Sequence, residues 1–368
     1  VAGERPHVGP GGDDDTDVDV DDRGAVRDGL PARDDLEGVH GDGPGRELLL
    51  QSHRLQVHIG GAEANVAVSL ARFGHDSALA GTVADNALGA AALGELRRHG
   101  VDVSRMRQVA GRMGLYFFAA GAGVRPSDVV YDRAGSAFAV APAAGYDWTT
   151  LLAGIDCLHV SGVTPAVGPH TAEAATDAVR AARASGTLVS FDGNYRPKLW
   201  ATWNDRPAPL LQALLAEADI AFIDHRDVDL VLGAEGDAVP AGTAVERTLA
   251  AAARAFAAFP HLQRIACTQR EVRSVDAHTL GAVLIHRAGQ VHRIEPQPVD
   301  GIVDRIGGGD AFTAGVLHGV LSGMDDGRAL AFGLAAARLK HSVPGDFNLV
   351  GANDVAALVD SGRLDVKR

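Results

Sequence analysis

A glycine cluster at residues 306–315, Ile-Gly-Gly-Gly-Asp-Ala-Phe-Thr-Ala-Gly, ends in one acidic residue and opens an apolar run that favours a helix. Gly307, Gly308 and Gly309 have no Cβ, so the backbone can approach a ligand closely there. A helix beginning near Asp310 leaves its first amide N–H groups without partners, and such a helix start attracts phosphate. Because the Asp310 carboxylate repels phosphate, its better use is to accept a proton from an attacking hydroxyl. This combination predicts phosphoryl transfer to an alcohol.

The elements that must position these residues follow a regular rhythm. From about residue 54, strand-like runs alternate with Ala-rich helical runs, which is typical of a parallel sheet covered by helices on both faces. Two short runs, 115–120 and 128–133, have the spacing of a strand hairpin. The main expected strands are 157–161, 188–192, 220–223 and 262–268, and the main expected helices are 171–184, 209–216, 245–258, 310–321 and 327–340.

Composition excludes several functions for this 368-residue chain. Its formal net charge of -13 disfavours a general nucleic-acid or anionic-membrane binder, although residues 13–22 hold most of the acidic excess. No stretch has the roughly 20 apolar residues of a membrane helix, and the first residues lack a signal-peptide pattern, so a cytoplasmic location is expected. Cys157 and Cys267 lie apart in apolar runs, which predicts buried thiols. The chain has neither the P-loop motif nor the His-Glu-x-x-His motif of zinc enzymes.

A second glycine-rich segment, Gly60 to Asn65, precedes the cluster at Gly307 to Asp310 by about 245 residues. The pair resembles the two signatures of the ribokinase-like (PfkB-type) sugar kinases. Within that family the chain is similar to the 2-keto-3-deoxygluconate kinases, over most of residues 54–350. The segments that carry this closer resemblance are Gly-Leu-Tyr-Phe around Tyr116, Tyr131 to Ala137, Phe191 to Trp200, Val303 to Ile306 and Pro344 to Asn348.

This resemblance implies an α/β ribokinase-like three-layer fold, with a mostly parallel central sheet, helices on both faces and a small β lid around residues 111–135. It implies that residues 46–368 form a single kinase domain. The lid often pairs between subunits in relatives, so the resemblance also allows a homo-oligomer. The implied reaction is ATP-dependent phosphorylation of 2-keto-3-deoxygluconate at its primary hydroxyl, giving 2-keto-3-deoxy-6-phosphogluconate and ADP.

The resemblance also assigns roles to residues. Asp310 is the general base, and the amides of Gly307, Gly308 and Gly309 form an anion hole. The implied ATP site is a shallow groove that includes Asn194 and a loop with Thr268 and Arg270, and Mg²⁺ arrives mostly on the nucleotide phosphates. Relatives have a metal-proximal motif where this chain has residues 224–227, and direct metal ligands stay open. The implied sugar site consists of Gly61, Ala62, Glu63, Ala64, Asn65, Tyr116, Tyr131, Arg133, Arg196 and Asp346.

The residue types suit an acidic sugar. A sugar acid presents a carboxylate and several hydroxyls, which a planar guanidinium with amide and phenol groups can bind. Arg133, Arg196 and the two tyrosines supply those groups. The tyrosines could instead be ordinary strand residues, and Arg133 a surface partner of an aspartate. Alternative functions are a kinase for fructose, ribose or 2-keto-3-deoxygalactonate, or a catalytically impaired protein that binds sugar acids.

The first 45 residues differ from the rest. They are rich in Asp, Gly, Arg and Pro and show no strand or helix pattern. Relatives begin with a buried apolar strand that is central to the sheet, and no such strand is recognisable here. We expect this segment to be disordered, or to be the translation of an unintended reading frame.

Overall fold

The computed structural model describes residues 37–41, 47–51, 55–234 and 242–361, and the structural statements below concern these ranges. The strands are β1 (Glu37–Gly41), β2 (Leu55–Ile59), β3 (Ser77–Ala78), β4 (Gly81–Ala84), β5 (Val101–Asp102), β6 (Met106–Val109), β7 (Leu115–Ala119), β8 (Asp128–Asp132), β9 (Cys157–Ser161), β10 (Leu188–Asp192), β11 (Ile220–Phe222), β12 (Arg264–Ser274), β13 (Ala277–His286) and β14 (Val291–Asp300).

The helices are α1 (Ala62–Arg72), α2 (Ala87–Arg98), α3 (Ala137–Val140), α4 (Trp148–Leu151), α5 (Val163–Ala166), α6 (Pro169–Ser185), α7 (Pro197–Trp200), α8 (Ala208–Ala216), α9 (His225–Leu232), α10 (Ala244–Ala258), α11 (Gly308–Leu321), α12 (Asp326–Lys340) and α13 (Ala352–Ser361). A short 3₁₀ turn spans Ala143–Gly145.

The largest sheet has the strand order β14-β13-β12-β11-β10-β9. Strands β9 to β12 are parallel, and β12, β13 and β14 form an antiparallel meander. Successive side chains point to opposite faces of a strand. On β12, Ile265 accordingly packs in the cluster that contains α6, α8 and α10, while Ala266 packs in the cluster that contains α11 and α12. Helices therefore cover both faces, and the expected α/β three-layer fold is confirmed.

The small lid is a four-stranded sheet in the order β2-β1-β7-β8. The expected hairpin is present as β7 and β8, with Tyr116 opposite Tyr131. Strand β1, at Glu37–Gly41, pairs antiparallel with β2 and parallel with β7. The expectation that residues 1–45 contain no strand is wrong at this point, because pairing on both sides stabilises a segment with little strand propensity of its own. The remainder of that expectation concerns residues outside the described ranges.

Two boundaries differ from the sequence prediction. Strand β12 continues to Ser274, so Thr268 and Arg270 lie on a strand and not in a loop. Its register with β13 supplies the reason, since Gln269 opposes Gly281 and Arg270 opposes Leu280 in a ladder that shifts register only between Val272 and Ser274. Helix α11 begins at Gly308, two residues before Asp310.

Strand β9 forms the edge of the main sheet. Among the described residues it pairs only with β10. Beyond its other edge lies a cavity of about 990 Å³, which is lined by residues of β9, α1, β3 and β4. The sheets β3/β5 and β4/β6 lie across this cavity as separate two-stranded units, so within the described ranges the central sheet does not continue past β9.

Candidate active site

The glycine cluster forms the start of α11. Gly307 is the residue before the helix and has φ 74°, a left-handed conformation that favours glycine. A Cβ there would come 2.0 Å from the carbonyl oxygen of Asp346, whereas a Cβ on Gly309 would meet nothing within 4 Å. The cluster therefore packs closely on one side and is open on the other, where a ligand can approach the backbone.

The first turn of α11 provides the amide donors of the expected anion hole. The amide of Gly308 donates to the carbonyl of Arg305 at 3.3 Å, and that of Ala311 donates to Gly307 at 2.9 Å. The amides of Gly309 and Asp310 lie in the turn where a helix has no internal acceptors. The helix dipole adds positive potential at the same place, so this turn suits a phosphoryl group.

Asp310 lies in that turn and is 9% exposed. The side-chain nitrogen of Asn65 donates to its Oδ2 at 2.6 Å. Burial is the largest cause that raises the pKa of Asp310, the Asn65 hydrogen bond and Arg196 lower it, the charges of Asp346 and Glu63 raise it, and together these effects place it at about 6. At neutral pH the carboxylate is therefore ionised but more basic than an ordinary aspartate, as a general base requires.

Asn65 lies in the first turns of α1 and is buried. Its Oδ1 atom is also buried and has no hydrogen-bond partner in the described part of the chain. Buried polar atoms are normally paired, so an unpaired oxygen beside Asp310 suits a hydroxyl that donates to it. Asn65, which the resemblance assigns to the sugar site, thus has a buried oxygen near Asp310 that a ligand hydroxyl can use.

Arg133 and two tyrosines form a compact group in the lid. The Arg133 guanidinium lies 5.0 Å from the ring centre of Tyr131 and 5.8 Å from that of Tyr116. Arg133 is 6% exposed, so the alternative that it is a surface residue is wrong. The hydroxyl of Tyr116 donates to Oδ2 of Asp346 at 2.6 Å, which links the lid to the loop behind Gly307.

The remaining residues of the Gly61–Asn65 segment position the backbone. Ala62 and Ala64 are buried, and their side chains have no polar atom that could bind a ligand. Glu63 points towards β9, where its Oε1 accepts from Ser161 N and Oγ at 2.9 Å and from Thr164 Oγ1 at 2.6 Å. These contacts attach α1 to the carboxyl end of β9, so Glu63 holds the segment that presents Asn65.

Arg196 and Asn194 follow the carboxyl end of β10. Arg196 is exposed, and its charge lowers the pKa of Asp310 as well as that of Asp192. Asn194 is the non-glycine residue with positive φ, at 38°, within the described ranges, and its amide donates to Oδ1 of Asp192 at 3.1 Å. The loop therefore places both predicted side chains on the same edge of the sheet as Asp310.

The sequence assignment of site residues missed Asp192, and it included Asp227 only within the segment 224–227, with no role of its own. Burial, together with Asp310 and Asp227, raises the pKa of Asp192 to about 8. Burial and Asp224 raise the pKa of Asp227 to about 6. Raised carboxyl pKa values cluster at functional sites. The available signal was the position of Asp192 at the carboxyl end of a buried strand, where ligands collect in open α/β sheets.

Comparison with known proteins gives the family. A profile described as pfkB family carbohydrate kinase matches residues 35–349. The chain belongs to the pfkB family of carbohydrate kinases. It is thus a phosphotransferase that acts on a carbohydrate hydroxyl, as the glycine cluster and Asp310 predicted.

Individual relatives of this kinase are similar over nearly their whole length. The 2-dehydro-3-deoxygalactonokinase of Haloferax volcanii is 31% identical over 327 residues, which is 88% of this chain and 95% of the relative. The 5-dehydro-2-deoxygluconokinase of Clostridium perfringens is 28% identical over 309 residues, 83% of this chain and 85% of the relative. The solved 2-dehydro-3-deoxygluconokinase of Thermotoga maritima is 31% identical, covers 89% of this chain and 97% of its own, and has a TM-score of 0.81.

A second cavity, of about 230 Å³, lies beside the middle of β12 and includes Thr268 and Arg270. Partial desolvation and the charges of Arg305, Arg226 and Arg196 lower the pKa of Arg270. Four guanidinium groups that repel one another suit a ligand with several negative charges, such as a triphosphate. The chemistry of the residues assigned to the nucleotide therefore suits a triphosphate.

Protein ligands for a metal are sparse in the described ranges, where no group of three or more His, Cys, Asp or Glu side chains is arranged to hold an ion. Asp224 pairs with Arg226, and its backbone N–H donates to Oδ2 of Asp227 at 2.9 Å. These contacts give residues 224–227 a structural role at the start of α9.

The helices in the described ranges are all too short or too polar to cross a membrane.

Proposed function

We propose that this kinase transfers the γ-phosphoryl group of ATP to the primary hydroxyl of 2-keto-3-deoxygluconate, producing 2-keto-3-deoxy-6-phosphogluconate and ADP. The observation that carries the choice of an acidic sugar is the buried Arg133 guanidinium between Tyr116 and Tyr131. A planar guanidinium held against two phenol rings can form paired hydrogen bonds with a carboxylate. A sugar acid offers that carboxylate, whereas fructose and ribose do not.

The sugar acid is oriented by its two ends. Its carboxylate lies towards Arg133, and its hydroxyls lie towards the two lid tyrosines and the Oδ1 atom of Asn65. That Oδ1 atom is buried and has no hydrogen-bond partner in the described part of the chain. Its primary hydroxyl reaches Asp310. Fixing both ends lowers the entropic cost of reaching the transition state.

Proton transfer and phosphoryl transfer are coupled at Asp310. Its carboxylate takes the hydroxyl proton while the sugar oxygen forms a bond to the γ-phosphorus. The bond from that phosphorus to the oxygen bridging the β-phosphate breaks, and its electron pair leaves with ADP. The amides at the start of α11 neutralise the charge on the transferring group, which is the main contribution of the protein in such reactions.

ATP is proposed to lie along the groove that contains Thr268 and Arg270, with Asn194 on the same edge of the sheet. Its phosphates run from the arginines of that groove towards Gly307, Gly308 and Gly309. Mg²⁺ arriving with the nucleotide, held mostly by phosphate and water, would supply further neutralisation of charge. The protein contributes the surrounding guanidinium and amide groups.

The relatives support an acidic substrate, since those named above are kinases of dehydro-deoxy sugar acids. 2-Dehydro-3-deoxygluconate is the systematic name of 2-keto-3-deoxygluconate. The Haloferax relative favours a second candidate, the galactonate isomer, which differs at one stereocentre.

A substrate panel tests the proposal. Purified kinase is given Mg-ATP with 2-keto-3-deoxygluconate, 2-keto-3-deoxygalactonate, fructose or ribose, and ADP release is followed. The proposal expects the highest kcat/KM with 2-keto-3-deoxygluconate and a much lower value with both neutral sugars. A preference for fructose or ribose contradicts it, and binding of the sugar acid without ADP release indicates an impaired sugar-acid-binding protein instead.

A further inference from the structure

Lys340 is the last residue of α12 and is 0% exposed. Its Nζ atom donates to the carbonyl oxygen of Val343 at 2.9 Å. A lysine is almost never fully buried unless its charge is compensated, because transfer of an ammonium group out of water is very costly. A fully buried lysine therefore needs an explanation beyond the single bond to Val343.

The side chain of Lys340 lies against the backbone that begins α11. A Cβ placed on Gly307 would come within 3.3 Å of Lys340 Cε, on the same side as the carbonyl oxygen of Asp346. Gly307 directly precedes the helical turn whose amides form the proposed anion hole. The Lys340 side chain thus packs against that turn from the interior of the protein. Gly309, which has no side chain, leaves the opposite side of the turn open.

The charges that face Lys340 come from each neighbouring segment. Asp304 lies before α11, Asp310 lies in α11 and Asp346 follows α12, and all three raise the pKa of Lys340, whereas burial lowers it more strongly. Burial and the charge of Lys340 lower the pKa of the next residue, His341.

One of these carboxylates is fixed by backbone amides near the start of α11, and another is fixed by a tyrosine hydroxyl of the lid. Asp304 accepts from the amides of Ile306 at 2.9 Å and Gly345 at 3.0 Å. Asp346 accepts from the Tyr116 hydroxyl. The negative charges of Asp304 and Asp346 oppose the binding of a transferring phosphoryl group, since like charges at close range in a buried site repel, and the Lys340 ammonium offsets part of that charge.

We propose that Lys340 is an electrostatic positioning residue for phosphoryl transfer. Its ammonium offsets the carboxylates behind the anion hole, supports the turn at Gly307, and helps to keep Asp310 ionised, without touching the substrate. This inference rests on the proposed placement of the γ-phosphoryl group at the start of α11. It does not depend on which sugar accepts the phosphoryl group.

The test compares Lys340→Met, which keeps the length of the side chain but removes its charge, with Lys198→Met. Lys198 is exposed and lies 3.5 Å from Asp128 at the surface, so it serves as the matched control. We expect kcat to fall about 10-fold to 100-fold in K340M, less than the roughly 10² to 10³ lost with a donor that contacts the transition state because Lys340 acts indirectly, and to stay unchanged in K198M. The KM for the sugar should change far less than kcat.

Two further readouts separate electrostatics from simple packing. Removal of the positive charge should raise the pKa of Asp310, so the acid limb of the kcat profile should move to higher pH in K340M. In Lys340→Ala, added ethylammonium should restore part of kcat, while ethanol at the same concentration should not. A folded K340M enzyme with wild-type kcat and an unshifted acid limb overturns the proposal.

If K340M does not fold, the pH dependence of kcat of the wild-type enzyme still tests the proposal. Its kcat should fall on the alkaline side with an apparent pKa below 10.5, the ordinary value of lysine, because the pKa of Lys340 is lowered. A constant kcat up to pH 10.5 overturns the proposal. Failure of the proposed function looks different: the wild-type enzyme would then prefer another sugar, and the same Lys340 comparisons would be made with that sugar.

Discussion

The side-chain nitrogen of Asn65 lies 2.6 Å from Oδ2 of Asp310, and this hydrogen bond joins residues that are 245 positions apart in the chain. Asn65 follows the first glycine-rich segment, and Asp310 follows the second. The glycines of the two segments allow helices α1 and α11 to begin close together. The starts of these helices therefore meet at the Asp310 carboxylate. The two sequence signatures are therefore parts of one site.

Replacement of Asn65 by leucine should change the pH dependence of catalysis. The pKa of Asp310 is about 6 in the folded protein, so kcat/KM of the wild-type enzyme should fall as the pH decreases through about 6 and the base becomes protonated. The Asn65 bond lowers that pKa, so its loss should move the acid limb to higher pH. Initial rates from pH 5 to 8.5 measure both profiles, and identical limbs would refute the role of this bond.

Replacement of Arg133 by methionine should reduce selectivity for acids over neutral sugars. The variant loses the buried guanidinium but keeps an unbranched side chain against Tyr116 and Tyr131. We expect kcat/KM for the sugar acid to fall by about 10²-fold or more, while the low activity with fructose changes little. Arg112→Met is the control, because Arg112 is partly exposed and pairs with Asp132 at 2.7 Å. Equal losses in both variants would argue against carboxylate binding by Arg133.

Replacement of Asp192 by asparagine should stabilise the fold at alkaline pH. The folded-state pKa of Asp192 is raised to about 8 from an ordinary 3.8, so its stabilising contribution is complete below pH 3.8 and is lost as the pH rises through 8. D192N, which cannot ionise, should have a Tm higher than wild type at pH 8.5, with the difference vanishing near pH 4. Asp205→Asn should show no such trend, since Asp205 is 96% exposed. A Tm difference independent of pH would contradict this assignment.

Hydrogen exchange should distinguish β9 from β10, although both strands carry buried side chains. Val160 is 6% exposed and Val189 is 0% exposed. Strand β10 has a partner on each side, whereas β9 pairs only with β10 among the described residues and faces the 990 Å³ cavity. We expect amides of residues 157–161 to exchange much faster than those of 188–192, as measured by mass spectrometry. Equal protection would mean that another segment pairs with β9.

Much of the fold could be predicted because its signals are local. Apolar runs predicted β9, β10 and β11, an Ala-rich run ending at Gly186 predicted α6, and a Leu- and Ala-rich run predicted α8. The glycine cluster located the start of α11 to within two residues of Asp310. The spacing of two short strands predicted the hairpin of β7 and β8, whereas the register that sets Tyr116 opposite Tyr131 comes from the structure.

Other features depend on contacts between distant segments and had no local signal. Strand β1 has few β-branched residues and exists through pairing with β2 and β7. The extension of β12 through Arg270 depends on β13 in the same way. Lys340 at the end of α12 matched the usual preference for a cation at a helix C-terminus, and only the packing of α12 against α11 buries it.

The central claim is that Asp310 is the general base, and its direct test is the turnover number of Asp310→Asn with saturating Mg-ATP and 2-keto-3-deoxygluconate. Asparagine preserves the size of the side chain but cannot accept the proton. The variant should keep the wild-type circular dichroism spectrum and a similar Kd for the sugar acid, while kcat falls by about 10² to 10⁴. A kcat equal to that of the wild-type enzyme would contradict the account.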